Sequence, residues 1–303
     1  MADRTAAPDQ GSSVADGTGT DSARGGVVVD DRPATAVAPG GGRPGARRVV
    51  LAVGAVLAVG LAALAGTQAL NGTTGREMRD QRVVLPSSVT RLEVTISSGD
   101  LVLTAAGGGP AVADAHLSGV VRPPRLRVDL AGGTARLRAD CGWNFLLSCG
   151  ATLRLRVPAG VAVQARTSSG DIHATGLSGS FDLRTSSGDV TATGGSGQAR
   201  LSTSSGDIHA AGLTATSVTT HSSSGDVTVR LAAEPDDVTA SSSSGDVRIT
   251  VPDETGPYLV SVHTSSGDRR IEVSTDPRAT RKITARTGSG DVSVAYSPAD
   301  QGS

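Results

Sequence analysis

Apolar and polar residues alternate with a period of two along most of the chain after residue 90, and the tripeptide Ser-Gly-Asp interrupts this alternation eight times. Successive side chains of a β-strand point to opposite faces, so each interval predicts a strand, a turn and a second strand. Glycine supplies the positive φ that such a turn needs, while Asp and Ser can bond turn amides. The pattern predicts these turn residues: Gly170, Asp171, Gly188, Asp189, Gly206, Asp207, Gly225, Asp226, Gly245, Asp246, Gly267, Asp268, Gly290 and Asp291.

The spacing of the tripeptides predicts how these units are arranged. From Asp171 to Asp291 the successive aspartates are 18, 18, 19, 20, 22 and 23 residues apart. A period near 20 residues is typical of stacked units that bury their apolar faces against each other, with identical positions about 4.8 Å apart. The sequence therefore predicts an all-β fold, a parallel β-solenoid (β-helix) of about ten rungs. A sandwich of β-hairpins is the alternative, because short strands with regular turns also have this pattern.

Two features of the repeat lead to further expectations. The apolar position after Asp268 is occupied by Arg269, which predicts a slipped register or a bulge there. A column of hydroxyl residues precedes the turns, and it could template ice or a glycan or form hydrogen-bonded ladders that fix the register. The column consists of Thr167, Thr185, Thr203, Ser222 and Ser242.

Two segments carry a resemblance to a known family. Residues 155–161 (LRVPAGV), followed by residues 167–172 (TSSGDI), resemble the putative-adhesin family of bacterial β-strand-repeat domains, a domain of unknown function with T/S-S-S-G-D-[VI] repeats. The resemblance covers roughly residues 83–297. It implies a β-helical, non-enzymatic domain at the bacterial envelope, and it assigns no binding residues.

The chain before the repeats divides into three parts. Residues 1–48 contain almost no large apolar side chains, which predicts a disordered tail. The uncharged apolar run that begins at Val49 predicts a transmembrane helix or signal anchor over residues 49–70, because about 18 such residues span a bilayer. Residues 71–82 are then a linker and 83–297 the repeat domain, with a disordered C-terminus at 298–303. A signal peptide cleaved after Ala65 is the main alternative to the anchor, and a buried core helix is another.

The side of the membrane on which the repeats lie does not follow from charge. The arginines nearest the apolar run are Arg43, Arg47 and Arg48 before it and Arg76, Arg79 and Arg82 after it, so the positive-inside rule gives a tie. The cysteines and the family resemblance favour a single-pass protein of the cell membrane with its repeat domain outside the cytoplasm.

Cys141 and Cys149 are the only cysteines of the chain. Two cysteines without further Cys or His ligands do not make a structural zinc site, and in an exported domain they predict a disulfide. The loop between them carries Trp143 and Phe145. This loop is either a contact surface for a partner or a lid on the first rungs of the solenoid.

The sequence contains no motif that indicates an active site. It has no nucleophile elbow, zinc-binding helix motif, phosphate loop or dinucleotide fingerprint in a credible context, so an enzyme and a cofactor are not expected. Stacked aspartates repel one another, and calcium could bridge them, although bonds from turn amides explain the aspartates as well. His173 and His209 share one column and His221 and His263 another, each pair two rungs apart and too distant to share a metal.

These observations predict a non-enzymatic cell-envelope protein that displays a repeat β-solenoid for adhesion, sensing or scaffolding. Its partners are the membrane and an unknown envelope, host or peptide ligand. A net charge of −1 argues against nucleic acid. The alternative from another class is a membrane-tethered scaffold that self-associates through the open ends of the solenoid, and a hydrolase is the third and least favoured.

Overall fold

The computed structural model describes residues 77–119, 124–140, 149–253 and 256–297. The predicted tail (1–48), membrane helix (49–70) and C-terminus (298–303) lie outside the described residues and stay predictions. Within the described ranges no helix is long and apolar enough to cross a bilayer.

All regular secondary structure of the described residues is β, which confirms the expected fold class. The strands are β1 Glu77–Val84, β2 Arg91–Ser98, β3 Leu101–Ala105, β4 Val112–Gly119, β5 Arg125–Ala131, β6 Thr134–Asp140, β7 Cys149–Val157, β8 Ala162–Ser169, β9 Ile172–Thr175, β10 Phe181–Ser187, β11 Val190–Thr193, β12 Ala199–Ser205, β13 Ile208–Leu213, β14 Ser217–Ser224, β15 Val227–Leu231, β16 Asp237–Ser244, β17 Val247–Val251, β18 Leu259–Ser266, β19 Arg269–Glu272, β20 Lys282–Ser289 and β21 Val292–Tyr296.

The strands form two sheets. Sheet A has 11 strands in the order β1-β4-β7-β3-β9-β11-β13-β15-β17-β21-β19, and sheet B has 10 strands in the order β18-β20-β16-β14-β12-β10-β8-β2-β6-β5. Among the described strands, the antiparallel pairs are β1 with β4, β4 with β7 and β5 with β6. The pairing is therefore mostly parallel and β-solenoid-like. A sandwich of β-hairpins, the alternative, would have mostly antiparallel pairs.

Each repeat contributes one strand to sheet B and the next to sheet A, joined by a Ser-Gly-Asp turn. We call such a strand pair a rung. In the rung of β10 and β11, Leu183 and Val190 point inward and are fully buried. The same inward positions recur in the next rung as Leu201 and Ile208. Aliphatic side chains of moderate size thus fill a thin core between the two sheets.

The first Ser-Gly-Asp turn lies directly beside the second, although Asp100 and Asp171 are 71 residues apart in sequence. Strand β2 pairs with β8, and β3 pairs with β9. The segment between them forms strands β4 to β7, which lie on the other side of this rung. The long gap in the repeat is therefore an insertion that extends both sheets at one end of the stack.

At the other end, the order of the rungs differs from their order in the sequence. Strands β20 and β21 stack on β16 and β17, and β18 and β19 form the outermost rung. The step of 22 residues leads from the Asp246 rung past the Asp291 rung to the Asp268 rung, and a connection that passes over one rung must span an additional 4.8 Å or so. The step of 23 residues leads back to the adjacent rung.

The exchanged order of the last two rungs explains why Arg269 occupies a position that is apolar in the other repeats. The predicted slipped register or bulge is wrong, since β19 pairs with β21 in continuous register and Arg269 lies opposite Val292. All four residues of β19 are exposed, because no further rung of the described chain covers them. An arginine at an inward position of an edge strand opposes pairing with another sheet.

Strand β1 (Glu77–Val84) begins before the predicted start of the repeat domain at residue 83 and includes residues assigned to the linker. Its sequence, EMRDQRVV, lacks a regular apolar alternation. The strand pairs with β4 at the edge of sheet A. Because β1 is paired on one side only, it can form with few buried apolar residues. Its polar sequence therefore did not predict a strand.

Thr220 is a polar exception in the core, and it leads to a prediction. It lies on β14 opposite Leu201 and Ala240, is fully buried, and its Oγ1 has no hydrogen-bond partner among the described residues. Burying an unpaired hydroxyl costs about 1–3 kcal/mol. Thr220→Val should therefore raise the free energy of unfolding of the full-length protein by about 1 kcal/mol or more, as measured by urea denaturation.

The matched control is Thr219→Val, which changes the outward neighbour on the same strand. We expect this control to change the free energy of unfolding by less than about 0.5 kcal/mol. An equal effect of the two substitutions would mean that β-propensity, and not the buried hydroxyl, sets the stability at this strand.

Candidate interaction surfaces

The aspartates of the turns form a hydrogen-bonded ladder along one corner of the stack. The Oδ1 atom of each aspartate except Asp268 accepts a bond from the backbone N–H of the aspartate in the next rung; for Asp189 to Asp207 and Asp207 to Asp226 the distances are 2.8 Å. The aspartate ladder runs in the spatial order Asp100, Asp171, Asp189, Asp207, Asp226, Asp246, Asp291 and Asp268. Seven of the eight carboxylates thus hold the turn of the next rung in place.

The turn glycines stack as closely as the aspartates do. Gly206 has a φ of +145°, and a Cβ atom at this position would overlap the carbonyl oxygen of Gly188 in the preceding rung. The same contact recurs at Gly225 against Gly206. Glycine is therefore required by both the backbone conformation and the spacing of the rungs.

The hydroxyl column before the turns lies inside the protein. Thr203 is 3% exposed, and its Oγ1 donates to the carbonyl oxygen of Gly188 at 2.9 Å. Ser222 bonds Gly206 in the same way at 3.0 Å. The column fixes the stacking of the turns as a ladder, whereas a templating surface for ice or a glycan is excluded by its burial.

The alignment of the aspartates concentrates negative charge at the corner of the stack where the aspartate ladder runs. Arg248 offsets part of it, with Nη2 at 2.6 Å from Asp246 Oδ2 and Nη1 at 3.8 Å from Asp226 Oδ2. In the part of the chain that the structure describes, no three His, Cys, Asp or Glu side chains are gathered to hold a metal ion.

The outer face of sheet B presents a second surface, built from rows of aligned residues. One row, which we call the basic row, crosses all ten strands of the sheet and contains five arginines, two histidines and no carboxylate. From β5 to β18 it consists of Arg127, Arg138, Thr95, Arg166, Arg184, Ser202, His221, Ser241, Arg286 and His263.

A row of hydroxyls runs beside the basic row, two residues closer to the turns. This serine row consists of Ser97, Ser168, Ser186, Ser204, Ser223, Ser243 and Ser265. The corresponding position is Gly288 on β20 and Asp140 on β6, where Asp140 Oδ1 accepts a hydrogen bond of 3.4 Å from Ser97 Oγ. Between the two rows lies a groove of about 470 Å³, lined by residues of both, including Arg166, Arg184 and His221. A second depression of about 320 Å³ lies farther from the turns and is lined by Arg91 and Arg200 among others.

The arginines of this face differ in how far they are neutralised. Arg184 makes two 2.8 Å hydrogen bonds to Asp182. Outside the basic row, a hydrogen bond from Arg136 at 2.8 Å lowers the pKa of Glu93. Arg138 and Arg166 have no ion pair or side-chain hydrogen bond within the described residues, and the charge of Arg138 makes a smaller contribution to lowering the pKa of Glu93. The basic row therefore keeps cations that are available to a ligand.

The histidines are separated, but not all as predicted. His173 and His209 lie two strands apart, as expected. His221 and His263 lie three strands apart and not two, because the last two rungs are exchanged. His221 Nδ1 lies 2.9 Å from Ser241 Oγ, yet within the described chain no carboxylate contacts this histidine, so the pair lacks the orienting group of a hydrolytic triad.

The two strands that flank the cysteine loop meet the corner of the aspartate ladder, since β6 pairs with β2 and β7 with β3. Strand β6 ends at Asp140 and β7 begins at Cys149. Cys141, Trp143 and Phe145 lie outside the described residues. The disulfide between Cys141 and Cys149 and both interpretations of the loop stay predictions.

Comparison with solved structures gives distant likenesses. A putative adhesin from Bacteroides fragilis has 15% identity and a TM-score of 0.47, and the match covers 72% of this chain and 97% of that one. A putative lipid binding protein from Parabacteroides distasonis has 13% identity and a TM-score of 0.43, covering 74% and 98%. A putative cell adhesion protein from Clostridium sporogenes has 8% identity and a TM-score of 0.37, covering 73% and 100%.

The sequence comparisons are more definite. No match was found among curated proteins. The model of one family, described as Toastrack DUF4097, matches residues 89–295. This range contains all eight Ser-Gly-Asp turns and strands β2 to β20 in full. The chain therefore belongs to the Toastrack DUF4097 family.

Proposed function

We propose that the protein is a non-enzymatic binding protein of the cell envelope. In this proposal residues 1–48 are a cytoplasmic tail and residues 49–70 a single membrane anchor. The anchor holds the β-solenoid of about ten rungs at the outer face of the cell membrane. The domain then serves adhesion, or sensing and scaffolding, through its surface.

One observation carries this proposal: outward residues of successive repeats are aligned into continuous rows across sheet B, such as the basic row. A catalytic site needs one place where several groups converge, whereas rows offer the same groups many times over. Repeated groups on a rigid sheet suit a long or multivalent ligand. The surface thus supports binding better than it supports turnover.

The self-assembling scaffold has no observation of its own in its favour. Stacking of solenoids end to end would require the outermost rung to accept another sheet. That rung carries Arg269 at an inward position and Arg270 beside it on the exposed strand β19. Charges at such positions oppose edge-to-edge pairing.

The proposed function is tested by deleting the repeat domain from the protein in the cell that produces it. We expect removal of residues 77–297, with residues 1–70 kept, to reduce attachment to surfaces or to alter the response to envelope stress. The matched control removes residues 2–40 and leaves the anchor and the repeats intact, and it should behave like the wild type. Unchanged attachment and unchanged stress response after loss of the repeats would contradict the proposal.

A further inference from the structure

We propose that the groove between the basic row and the serine row binds a linear acidic polysaccharide, a hydroxylated chain that carries carboxylate groups. The inference rests on the proposed function, which requires a binding surface and names no ligand. It assigns that surface to the outer face of sheet B.

The length and regularity of the groove suit a polymer. The basic row crosses ten strands, which corresponds to about 43 Å at the usual spacing of strands. The part between Thr95 and Ser223 encloses about 470 Å³, within the usual range of ligand sites. A linear polymer can occupy this part and continue along the row in both directions.

The charge of the row suits a ligand with repeated anions. Arg138, Thr95 and Arg166 follow one another on adjacent strands, and both arginines are exposed and without ion pairs in the described chain. A guanidinium group can pair with a carboxylate through two parallel hydrogen bonds. The chain as a whole has a net charge of −1, so the cationic row arises from placement and not from composition.

The hydroxyls of the serine row suit a sugar. Ser168 and Ser186 lie beside Arg166 and Arg184, and Ser204 lies beside Ser202 on the next strand; all three serines line the same groove. Each hydroxyl can donate and accept a hydrogen bond, as the hydroxyls of a sugar also can. The pairing of a cationic row with a hydroxyl row therefore matches a polymer in which carboxylates and hydroxyls alternate.

Two other classes of anionic partner fit this groove less well. Single-stranded nucleic acids bind on aromatic side chains that stack with the bases, and no Phe, Tyr or Trp lines the groove, whose one aromatic ring is the imidazole of His221. An anionic membrane surface favours a face with large apolar side chains that enter the lipid. The lining of Arg, His, Ser and Thr, with Ile96 as its one aliphatic residue, offers no such face.

The test measures binding of a fluorescently labelled decamer of galacturonic acid to the full-length protein in a neutral detergent, by fluorescence anisotropy. We expect binding that weakens as salt concentration rises. The variant Arg138→Gln/Arg166→Gln should lower the affinity about tenfold or more, because two carboxylate contacts lose their charged partner.

The matched control is Arg154→Gln/Arg230→Gln. It removes two exposed arginines from strands β7 and β15 on the outer face of sheet A, and we expect less than about a twofold change because these residues are far from the groove. Circular dichroism of both variants should match the wild type. An equal loss of affinity in the two variants would overturn the assignment of the site.

Three control ligands test the chemical class of the ligand. A neutral dextran oligomer should not bind, and single-stranded DNA and inorganic polyphosphate of equal charge should bind more weakly than the decamer. Equal or tighter binding of DNA or polyphosphate, or no binding of the decamer, would overturn the inference. The binding assay uses purified protein and tests only the ligand, whereas the deletion test in cells tests the proposed function. A negative result in one of the two experiments can therefore be told apart from a negative result in the other.

Discussion

Replacing Gly206 by alanine should destabilise the repeat domain by about 4 kcal/mol, one of the largest losses expected from a single substitution. Two effects add at this position. The φ of +145° is strained for any residue with a Cβ atom, and the added methyl group would overlap the carbonyl oxygen of Gly188 in the neighbouring rung. Because the rungs are held in register by backbone hydrogen bonds on both sides, the overlap cannot be relieved by one turn alone.

The comparison that isolates the contact between rungs is Gly194→Ala. Gly194 also has a positive φ, +64°, but no atom lies within 4 Å of the position of an added Cβ. It should cost only the usual penalty of the left-handed conformation, about 1–2 kcal/mol. Urea denaturation of the two variants measures the difference, and equal losses would mean that the close stacking of the glycine turns is not what limits substitution.

Replacing Asp207 should separate the two roles of the aspartate ladder, hydrogen bonding and charge. Asp207 Oδ1 accepts the backbone N–H of Asp226 at 2.8 Å, so Asp207→Ala leaves that amide without its partner. We expect a loss of about 1–3 kcal/mol in the free energy of unfolding, measured by urea denaturation.

Asp207→Asn is the matched variant, because its side-chain oxygen can still accept the bond while one negative charge is removed from the row. We expect stability equal to or above that of the wild type, and a weaker increase of stability with added salt, since salt screens repulsion between neighbouring carboxylates. A loss as large as that of Asp207→Ala would show that the charge itself is needed, as it would be if a cation were bound to the row.

The core of the rungs could be predicted because it depends on local alternation. Leu183 and Val190 flank one Ser-Gly-Asp turn at the positions expected to point inward, and both are buried. The turn glycines followed from the same pattern, since a positive φ is a local requirement. These features repeat in each unit and need no knowledge of which unit lies next to which.

The order of the rungs could not be predicted in the same way, because alternation is identical for every stacking order. The Asp268 rung lies outside the Asp291 rung, and only Arg269 and the longer repeat steps indicated this exchange in the sequence. The basic row was missed for a related reason. It joins Arg127 and Arg138, which lie in strands without a Ser-Gly-Asp turn, to repeats far along the chain.

The measurement that tests the central claim most directly is protease treatment of intact cells, followed by detection with an antibody against residues 83–303. The proposed display of the repeats at the outer face predicts that the domain is digested while the cells remain intact. A domain that survives until the cells are lysed would contradict this account, because the rows on sheet B would then face the cytoplasm and could not meet an envelope or host ligand.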